Sequence, residues 1–375
     1  MAGRSRHTIV TLSTVLLALL LLALAALSLF TPNAEEQRSS SQILTTPATP
    51  STRSPGPSSS STTLTASSSA TTTTESFPTF RAEFSGERAF SDLLHQTDLG
   101  PRPPGTRAHE LTVEYVETTL RDLGLEVEKQ EFNFADHEGT SFNMTNVIGI
   151  TGWRGSRLVI LGAHFDTRPR ADQETDPAKR HQPILGANDG ASGVAVLLEL
   201  ARVLRHESLL VEVRLVFYDG EDYGLTLDEY FIGSRHHAEG LTEEEMRRLV
   251  GVIVVDMVGD KDLEIFREGY SQSSAPELVD LIWSTARKLG YGQHFPDSVR
   301  YTIDDDHVPY IERGLPAVNV IDFDYPYWHT LQDTPDKVSA RSLEVVGRVL
   351  HSVLKEISSC QSCRLANDWS SRMIA

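Results

Sequence analysis

The stretch Leu215-Val-Phe-Tyr-Asp-Gly-Glu-Asp-Tyr-Gly224 decides the fold. Four residues that favour β-structure, Leu215 to Tyr218, run directly into three acids, Asp219, Glu221 and Asp222, and then into a glycine. This pattern predicts a buried strand that delivers carboxylates to its carboxyl end. In an open α/β sheet, ligands bind at that edge. Because crowded negative charges are unfavourable, we expect either a bound cation or a carboxyl group with a raised pKa.

Composition restricts the class of protein. The chain has 375 residues and a formal net charge of -18 at pH 7, and its pI is about 5.1. No run of basic residues extends beyond Met246-Arg-Arg248, so we expect no nucleic-acid partner. Only the part after about Ala82 has enough apolar residues to bury a core, which predicts one large domain.

The N-terminal part resembles a targeting segment followed by a linker. Arg4 and Arg6 precede an uncharged apolar run, residues 9–30, which matches a secretory n-region and h-region. The run is long enough to span a bilayer, so a signal-anchor is favoured over a cleaved signal peptide. Residues 31–81 are rich in Ser, Thr and Pro and predict a disordered linker. The protein is therefore expected outside the cytoplasm, anchored to the membrane or secreted after cleavage.

Two cysteines, Cys360 and Cys363, follow the last predicted helix. A structural zinc site needs two more Cys or His ligands at similar spacing, and none is close in sequence. We interpret the pair as a local disulfide or free thiols, with a redox role as the alternative.

Beyond the linker, the spacing of apolar residues predicts alternating helices and strands. Helices are predicted at 87–96, 107–123, 190–206, 230–238, 276–289 and 339–357, and strands at 126–134, 147–150, 157–163, 215–218, 251–255 and 317–321. This order predicts a three-layer α/β sandwich with a mostly parallel, mixed central sheet flanked by helices. The predicted organisation is a cytoplasmic n-region (1–8), a signal-anchor or signal-peptide helix (9–30), a linker (31–81), a catalytic domain (82–358) and a C-terminal tail (359–375).

Four predicted strands end in residues that bind metals or carry protons. These residues are His164 and Asp166, Glu221 and Asp222, Asp256 and Asp260, and, after the last strand, His329. Asp189 joins them from a turn that opens a helix. Carboxylates and two histidines at one sheet edge suit a zinc site with an open position for substrate, and the lack of cysteine disfavours softer metals.

Structural roles compete with these assignments. Asp189 is also a candidate N-cap of its helix. Asp166 and Asp219 are candidate turn residues, and Asp166 is alternatively a carboxylate that orients His164. We interpret Asp219 as a turn residue.

The segment around His329 and an acidic run upstream of it point to a substrate pocket. Trp328 precedes His329, and an aromatic wall beside a ligand is typical of a small-molecule site. The run Asp304-Asp-Asp306-His307 precedes a predicted helix, which it could cap. Its charge density predicts that at least one of its carboxyl groups serves the pocket.

From about Phe90 to Ile357 the chain resembles the zinc glutaminyl-peptide cyclotransferases, or glutaminyl cyclases, and their aminopeptidase relatives in the M28-type metallopeptidase superfamily. The matching pieces are His164-Phe-Asp-Thr167, Gly186-Ala-Asn-Asp189, Asp219-Gly-Glu-Asp222, Gly233-Ser-Arg-His236, Asp256-Met-Val-Gly259, Asp305-Asp-His-Val-Pro309 and Trp328-His-Thr330. The insertion from Arg168 to Pro183 resembles bacterial members.

The resemblance implies a role for each matching residue. It implies that Asp189, Asp222 and His329 bind one zinc ion and that Glu221 is the general acid/base. It further implies a carboxylate network of Asp256 and Asp305 and a substrate wall formed by Trp328, with peptide or protein N-termini as substrates. Five of the seven residues to which the resemblance assigns a role are acids.

The sequence departs from the cyclase pattern twice. Asp222 stands where many animal cyclases have glutamate, which shortens a ligand arm. A second pocket tryptophan has no counterpart near Leu227, and Tyr223, Leu225 and Tyr327 are the candidates to replace it.

Two other functions use the same residues. An aminopeptidase would hold a second metal with His164 and Asp256, bridged by Asp189, and Glu221 would activate a water to attack a peptide bond. The remaining alternative is an inactive extracytoplasmic domain that binds peptides or a partner.

Overall fold

The computed structural model describes residues 83–152, 155 and 157–359. The predicted membrane segment, the linker, and Cys360 and Cys363 lie outside these residues, so the interpretations of them stay predictions. Among the described residues, no helix is long and apolar enough to cross a membrane.

Helices account for much of the described chain. They are α1 (Gly86–Asp98), α2 (Arg107–Asp122), α3 (Ala191–Leu204), α4 (Ile232–Gly240), α5 (Glu243–Arg248), α6 (Gly269–Ser274), α7 (Pro276–Lys288), α8 (Val308–Glu312) and α9 (Ala340–Ser359). Short 3₁₀ helices lie at Pro177–Lys179, Leu227–Glu229, Gly292–His294 and Pro335–Lys337. Capping residues set several starts: the side chains of Ser85 and Thr106 accept backbone hydrogen bonds at α1 and α2, and Thr242 forms a capping box with Glu245 at α5.

Six strands form the main sheet. They are β1 (Glu126–Ala135), β2 (Ser141–Gly152), β3 (Leu158–His164), β4 (Glu212–Tyr218), β5 (Leu249–Asp256) and β8 (Ala317–Ile321), in the order β1-β2-β4-β3-β5-β8. β1, β2 and β4 pair antiparallel, whereas β4, β3, β5 and β8 are mutually parallel. A separate two-stranded parallel sheet joins β6 (Arg267–Glu268) and β7 (Val299–Tyr301).

Helices cover both faces of the main sheet. One face packs against α1, α2, α3, α7 and α9 in a large apolar core. The opposite face packs against residues of α4, α5 and α8 in a smaller core. The structure thus confirms the predicted three-layer α/β sandwich with a mixed central sheet.

The close approach of α3 to β5 depends on one glycine. A Cβ atom on Gly193 would lie 2.1 Å from the carbonyl oxygen of Val255, closer than any side chain tolerates. The start of α3 therefore sits directly over the carboxyl end of β5. This packing brings Asp189, just before α3, close to Asp256 at the end of β5.

Candidate metal centre and active site

The carboxyl ends of the parallel strands open into one cavity of about 440 Å³. Its walls come from the loops after β3, β4, β5 and β8, from the turn before α3, and from the segment after β7 that carries Asp305. The lining residues include seven predicted site residues: Asp189, Glu221, Asp222, Asp256, Asp305, Trp328 and His329. His164 lies beneath them, almost fully buried. The structure thus brings together the residues to which the resemblance assigns roles, with His164 beside them.

The turn after β4 is held by buried carboxylates on both sides. Gly220 has a φ of 71°, which glycine adopts without strain. The Asp166 carboxylate accepts the backbone N–H groups of Glu221 (3.0 Å) and Asp222 (3.2 Å). Asp166 therefore fixes the backbone of the turn that carries both site residues, and its distance from His164 Nδ1 is 3.6 Å.

Asp219 opens the turn after β4, as the sequence predicts, and its side chain also makes buried contacts with other elements. Its carboxylate is fully buried, lies 2.7 Å from His109 Nε2, and accepts the Thr145 N–H at 2.7 Å. It therefore ties the turn to α2 and β2. The sequence did not reveal this role because both partners are distant along the chain.

Asp189, Asp222 and His329 form a compact donor group. His329 Nε2 lies 3.3 Å from Asp222 Oδ2 and 3.5 Å from Asp189 Oδ2. Both carboxylate oxygens are buried and have no hydrogen-bond partner among the residues that the structure describes. An orphaned buried carboxylate oxygen is costly unless a cation meets it. Two carboxylates and one imidazole are a ligand set that zinc accepts, with a further position left for substrate.

The electrostatics of this group favour positive charge. Although burial opposes it, the negative charge of Asp222 together with Asp172 and Asp189 raises the pKa of His329 to about 10. The same field attracts a metal cation.

Asp189 is not the helix cap that one alternative proposed. The N-cap of α3 is Gly190, with a φ of 103°. The backbone N–H groups of Asn188 and Asp189 instead donate to the buried carboxylate of Asp333, at 2.8 and 3.1 Å. The Asp189 side chain is thereby left free to face the donor group.

A buried arginine supports the same turn from below. Arg102 is fully buried, and its guanidinium donates to the carbonyl oxygens of Phe165, Leu185 and Gly186 at 2.8 to 3.0 Å. It comes from the Gly100-Pro-Arg-Pro-Pro-Gly105 turn. This arginine joins the loop after β3 to the loop that carries Asp189.

A second donor group lies next to the first and shares Asp189 with it. It comprises His164, Asp189 and Asp256. His164 Nε2 lies 3.1 Å from Asp256 Oδ1, within hydrogen-bond distance, and 3.3 Å from Asp189 Oδ1. In this group the His164 Nε2 and Asp256 Oδ1 atoms that face each other are paired, whereas His164 Nδ1 on the far side of the ring has no hydrogen-bond partner among the described residues.

Carboxyl groups near the donor groups have raised pKa values. Burial, and then the negative charge of Asp222, raises the pKa of Glu221 well above its ordinary value. Burial, and then the charge of Asp256, raises the pKa of Asp305 to about 7. Asp305 Oδ2 also accepts a hydrogen bond from Asn319 at 2.6 Å. Asp305 can therefore hold and release a proton near neutral pH, and Glu221 binds a proton more tightly than an exposed glutamate does.

Aromatic side chains wall the cavity. Trp328 stacks on His329, with ring centroids 4.0 Å apart, and contacts Phe323. Tyr230 and Phe231 line another part of the wall. Among the described residues, those other than glycine with positive φ are Phe231, Met257 and His329, and all three line this cavity. Strained backbone held by its surroundings is common at functional sites.

The candidates for the missing pocket tryptophan, Tyr223, Leu225 and Tyr327, do not line the cavity. Tyr223 donates instead to Asp136, Leu225 is exposed, and Tyr327 packs against Tyr325. The sequence stretch after Asp222 turns away from the cavity before returning at Tyr230.

Asp260 is also outside the site. It lines a separate cavity with Asp322, and its backbone pairs with Val338. Met257, with a φ of 45°, turns the chain after Asp256, so the two acids face different cavities.

Three residues at the site were missed by sequence reasoning. Asp172 lies 3.1 Å from His329 Nδ1, Arg168 donates to Asp222 Oδ1 at 3.0 Å, and Asp333 binds the turn of Asp189. Arg168 and Asp172 lie within the insertion from Arg168 to Pro183, whose sequence indicates only a resemblance to bacterial members. Their four-residue spacing was the available signal.

Comparison with known proteins agrees with this geometry. Residues 146–354 match the family model described as peptidase family M28. The chain belongs to peptidase family M28 and is an enzyme of that family. It is similar to the crystal structure of Tannerella forsythia glutaminyl cyclase, with 34% sequence identity, a TM-score of 0.69, and coverage of 73% of this chain and 99% of that one.

Relatives with two activities occur among the similar sequences. Glutaminyl-peptide cyclotransferase of Drosophila melanogaster is 27% identical, over 65% of this chain and 75% of that protein. Aminopeptidase YwaD of Bacillus subtilis is 26% identical, over 73% of this chain and 58% of that protein. The match thus spans less than two thirds of the aminopeptidase. The choice between the activities depends on the site itself.

Proposed function

We propose that this protein is a glutaminyl-peptide cyclotransferase that uses one zinc ion and converts the N-terminal glutamine of peptides to pyroglutamate with release of ammonia. The contrast between the two donor groups carries the proposal. In the group of Asp189, Asp222 and His329, two buried carboxylate oxygens lack hydrogen-bond partners within the described part of the chain. In the neighbouring group, His164 is hydrogen-bonded to Asp256. One metal therefore satisfies the site, and a second would have to break that hydrogen bond.

Asp189, Asp222 and His329 would hold the zinc ion. When bound, zinc supplies a Lewis acid that polarises the γ-amide carbonyl of the substrate glutamine. The grouping of these three side chains around unpartnered oxygens supports this ligand set, and the likeness to Tannerella forsythia glutaminyl cyclase supports the activity.

Glu221 moves the proton in the proposed reaction. The α-amine nitrogen of the substrate bonds to its own γ-carbonyl carbon, and the bond from that carbon to the amide nitrogen breaks. Glu221 accepts the proton that the amine loses and delivers it to the departing nitrogen, which leaves as ammonia. Its raised pKa supports this role, since the carboxyl group must both accept and release a proton near neutral pH.

Asp256 and Asp305 are two further carboxyl groups that line the cavity with Glu221. Asp256 is bonded to His164, and Asp305 accepts from Asn319, so both carboxyl groups are fixed in orientation. We assign them to the hydrogen-bond network that binds the substrate amine. Trp328 forms an apolar wall for the substrate side chain, since it stacks on His329 at the cavity wall.

Product analysis tests the proposal. The purified domain is incubated with a peptide that begins with glutamine, and ammonia is measured with the mass of the peptide product. The proposal expects one ammonia per peptide and no free amino acid. The matched control is the same peptide with an acetylated N-terminus, which lacks the attacking amine and should not react. Release of free glutamine without ammonia would overturn the proposal.

An aminopeptidase is the second candidate, and one observation favours it. Asp189 faces both donor groups, because Oδ2 lies near His329 and Oδ1 near His164. A bridging carboxylate between two metals has this placement. Hydrolysis of a leucine-initiated peptide, with two metals per chain, supports this function. If neither product forms and no metal copurifies, the domain is a binding module instead.

We also propose that the domain acts outside the cytoplasm, held by residues 9–30 or secreted after their removal. The uncharged run after Arg4 and Arg6 supports this location. Protease added to intact cells should degrade the domain without lysis. Protection of the domain until the cells are lysed would contradict an external location.

A further inference from the structure

The segment after β3 reaches across the cavity and contacts two of the three residues of the first donor group. Arg168 is almost fully buried there. Its Nη1 atom donates to Asp222 Oδ1 at 3.0 Å and to the Asp222 carbonyl oxygen at 3.2 Å. Its Nε atom donates to Asp172 Oδ2 at 2.8 Å. One guanidinium thus joins two carboxylates.

The second carboxylate of this bridge continues to His329. Asp172 Oδ1 lies 3.1 Å from His329 Nδ1. The next residue, Gln173, donates its backbone N–H to the His329 carbonyl oxygen at 3.2 Å. His329 has a φ of 53°, a left-handed conformation that is strained for a residue other than glycine. The segment therefore holds both the imidazole and the strained backbone.

These contacts engage one side-chain polar atom of Asp222 and one of His329 and leave the other atom of each facing the donor group. The outward atoms, Asp222 Oδ1 and His329 Nδ1, are engaged by Arg168 and Asp172. Asp222 Oδ2 has no hydrogen-bond partner among the described residues, and His329 Nε2 faces it at 3.3 Å. With Oδ1 occupied by a guanidinium, Asp222 can offer a metal only one oxygen.

We propose that Arg168 and Asp172 form a positioning clamp that orients Asp222 and His329 for the metal before the metal binds. The clamp fixes the orientation of the imidazole ring, because the Asp172 carboxylate accepts the Nδ1–H and leaves Nε2 facing the donor group. The guanidinium also offsets the repulsion between the carboxylates of Asp222 and Asp172. Neither Arg168 nor Asp172 is itself a ligand in this assignment.

Zinc affinity of the metal-free protein is the direct test. Zinc dissociation constants are measured by competition with a coloured chelator for the unaltered protein, Arg168→Lys and Asp172→Asn. Loss of an outer contact to a metal ligand typically costs about 10- to 100-fold in affinity, and we expect a loss of that size for both variants. Lysine keeps the positive charge but lacks the forked geometry needed to join two carboxylates. If Arg168→Lys binds zinc as tightly as the unaltered protein, Arg168 does not position Asp222 by joining it to Asp172.

The chain offers a matched control in Arg170. Its guanidinium donates to the Gly224 carbonyl oxygen at 2.8 Å, a partner that Arg168 shares at 3.3 Å. Within the described part of the chain, Arg170 forms no hydrogen bond or ion pair with Asp222, Asp172 or His329. Arg170→Ala should therefore bind zinc as tightly as the unaltered protein. Equal losses in Arg170→Ala and Arg168→Lys would show a general effect of the loop and refute the clamp.

The double variant separates a clamp from two independent contacts. If Arg168 and Asp172 act as one unit, Arg168→Lys with Asp172→Asn should lose little more affinity than the worse single variant. If the loss of zinc affinity in the double variant equals the product of the losses in the two single variants, the shared role is refuted. Visible spectra of the cobalt(II)-loaded proteins add a readout of ligand geometry: we expect altered bands in Asp172→Asn and unaltered bands in Arg170→Ala.

The clamp rests on the proposed function only in taking zinc as the metal. Its measurements need no substrate, so the two proposals fail separately. If glutamine peptides are not cyclised but zinc affinity falls as expected, the clamp stands and the cyclase assignment fails. If cyclisation occurs and zinc affinity is unchanged in both variants, the cyclase assignment stands and the clamp fails.

Discussion

Replacement of Glu221 by glutamine should abolish most of the turnover and leave zinc bound. The substitution keeps the shape of the side chain but removes its ability to accept a proton. Glu221 belongs to neither donor group, so the metal ligands are unchanged. Its backbone N–H is held by Asp166, which the substitution does not touch.

The size of the loss follows from the role of the residue. A well-positioned general acid/base contributes about 10²- to 10⁴-fold, equivalent to about 3 to 5 kcal/mol of the activation free energy. The neighbouring acid Asp256 is not free to replace Glu221, because it is hydrogen-bonded to His164. We therefore expect a fall in kcat of at least about 100-fold.

The assay measures ammonia release from a glutamine-initiated peptide together with zinc content. Glu243→Gln serves as the control, because that side chain lies on α5 and is 87% exposed; its rate should equal that of the unaltered protein. If Glu221→Gln keeps turnover within about tenfold of the unaltered protein with zinc still bound, Glu221 is not the proton carrier.

Three further predictions concern the metal, pH and packing. His329→Ala should lose zinc, measured by metal analysis of the purified protein, and a full equivalent of retained zinc would exclude His329 as a ligand. Burial lowers the pKa of His237 to about 3, from 6.5 in the unfolded chain. Below pH 6.5 the unfolded chain therefore binds more protons than the folded one, so the free energy of unfolding decreases as the pH is lowered. This histidine alone lowers that free energy by about 2 kcal/mol at pH 5. Urea unfolding of His237→Gln should lack that part of the pH dependence, and an unchanged dependence would contradict the assignment. Gly193→Ala should lower the free energy of unfolding by about 1 to 3 kcal/mol, because its Cβ meets the Val255 carbonyl oxygen, and an unchanged urea midpoint would contradict this.

Much of the fold was predictable because its signals are local. The buried strands β3, β5 and β8 are continuous apolar runs, and the helices carry regular apolar spacing. β2 is the exception: only residues 147–150 were predicted, although the strand begins at Ser141. Its first half is partly exposed in the hairpin with β1, so its composition gives no buried-strand signal.

The site was predictable to the extent that it lies at strand ends. Parallel strands bring their carboxyl ends to one edge, so Asp222 and Asp256 meet for a topological reason. Asp172 and Asp333 come from loops without periodicity, and their contacts with His329 and Asp189 depend on how distant segments approach each other. Sequence spacing does not encode such approaches.

Zinc titration of the metal-free protein tests the central claim most directly. Cyclisation of a glutamine-initiated peptide is followed by ammonia release as zinc is added in steps, with bound metal measured at each step. We predict that activity rises linearly and reaches its maximum at one zinc per chain, bound by Asp189, Asp222 and His329. Activity that continues to rise until two zinc ions are bound, with release of free amino acid, would contradict the single-zinc cyclase.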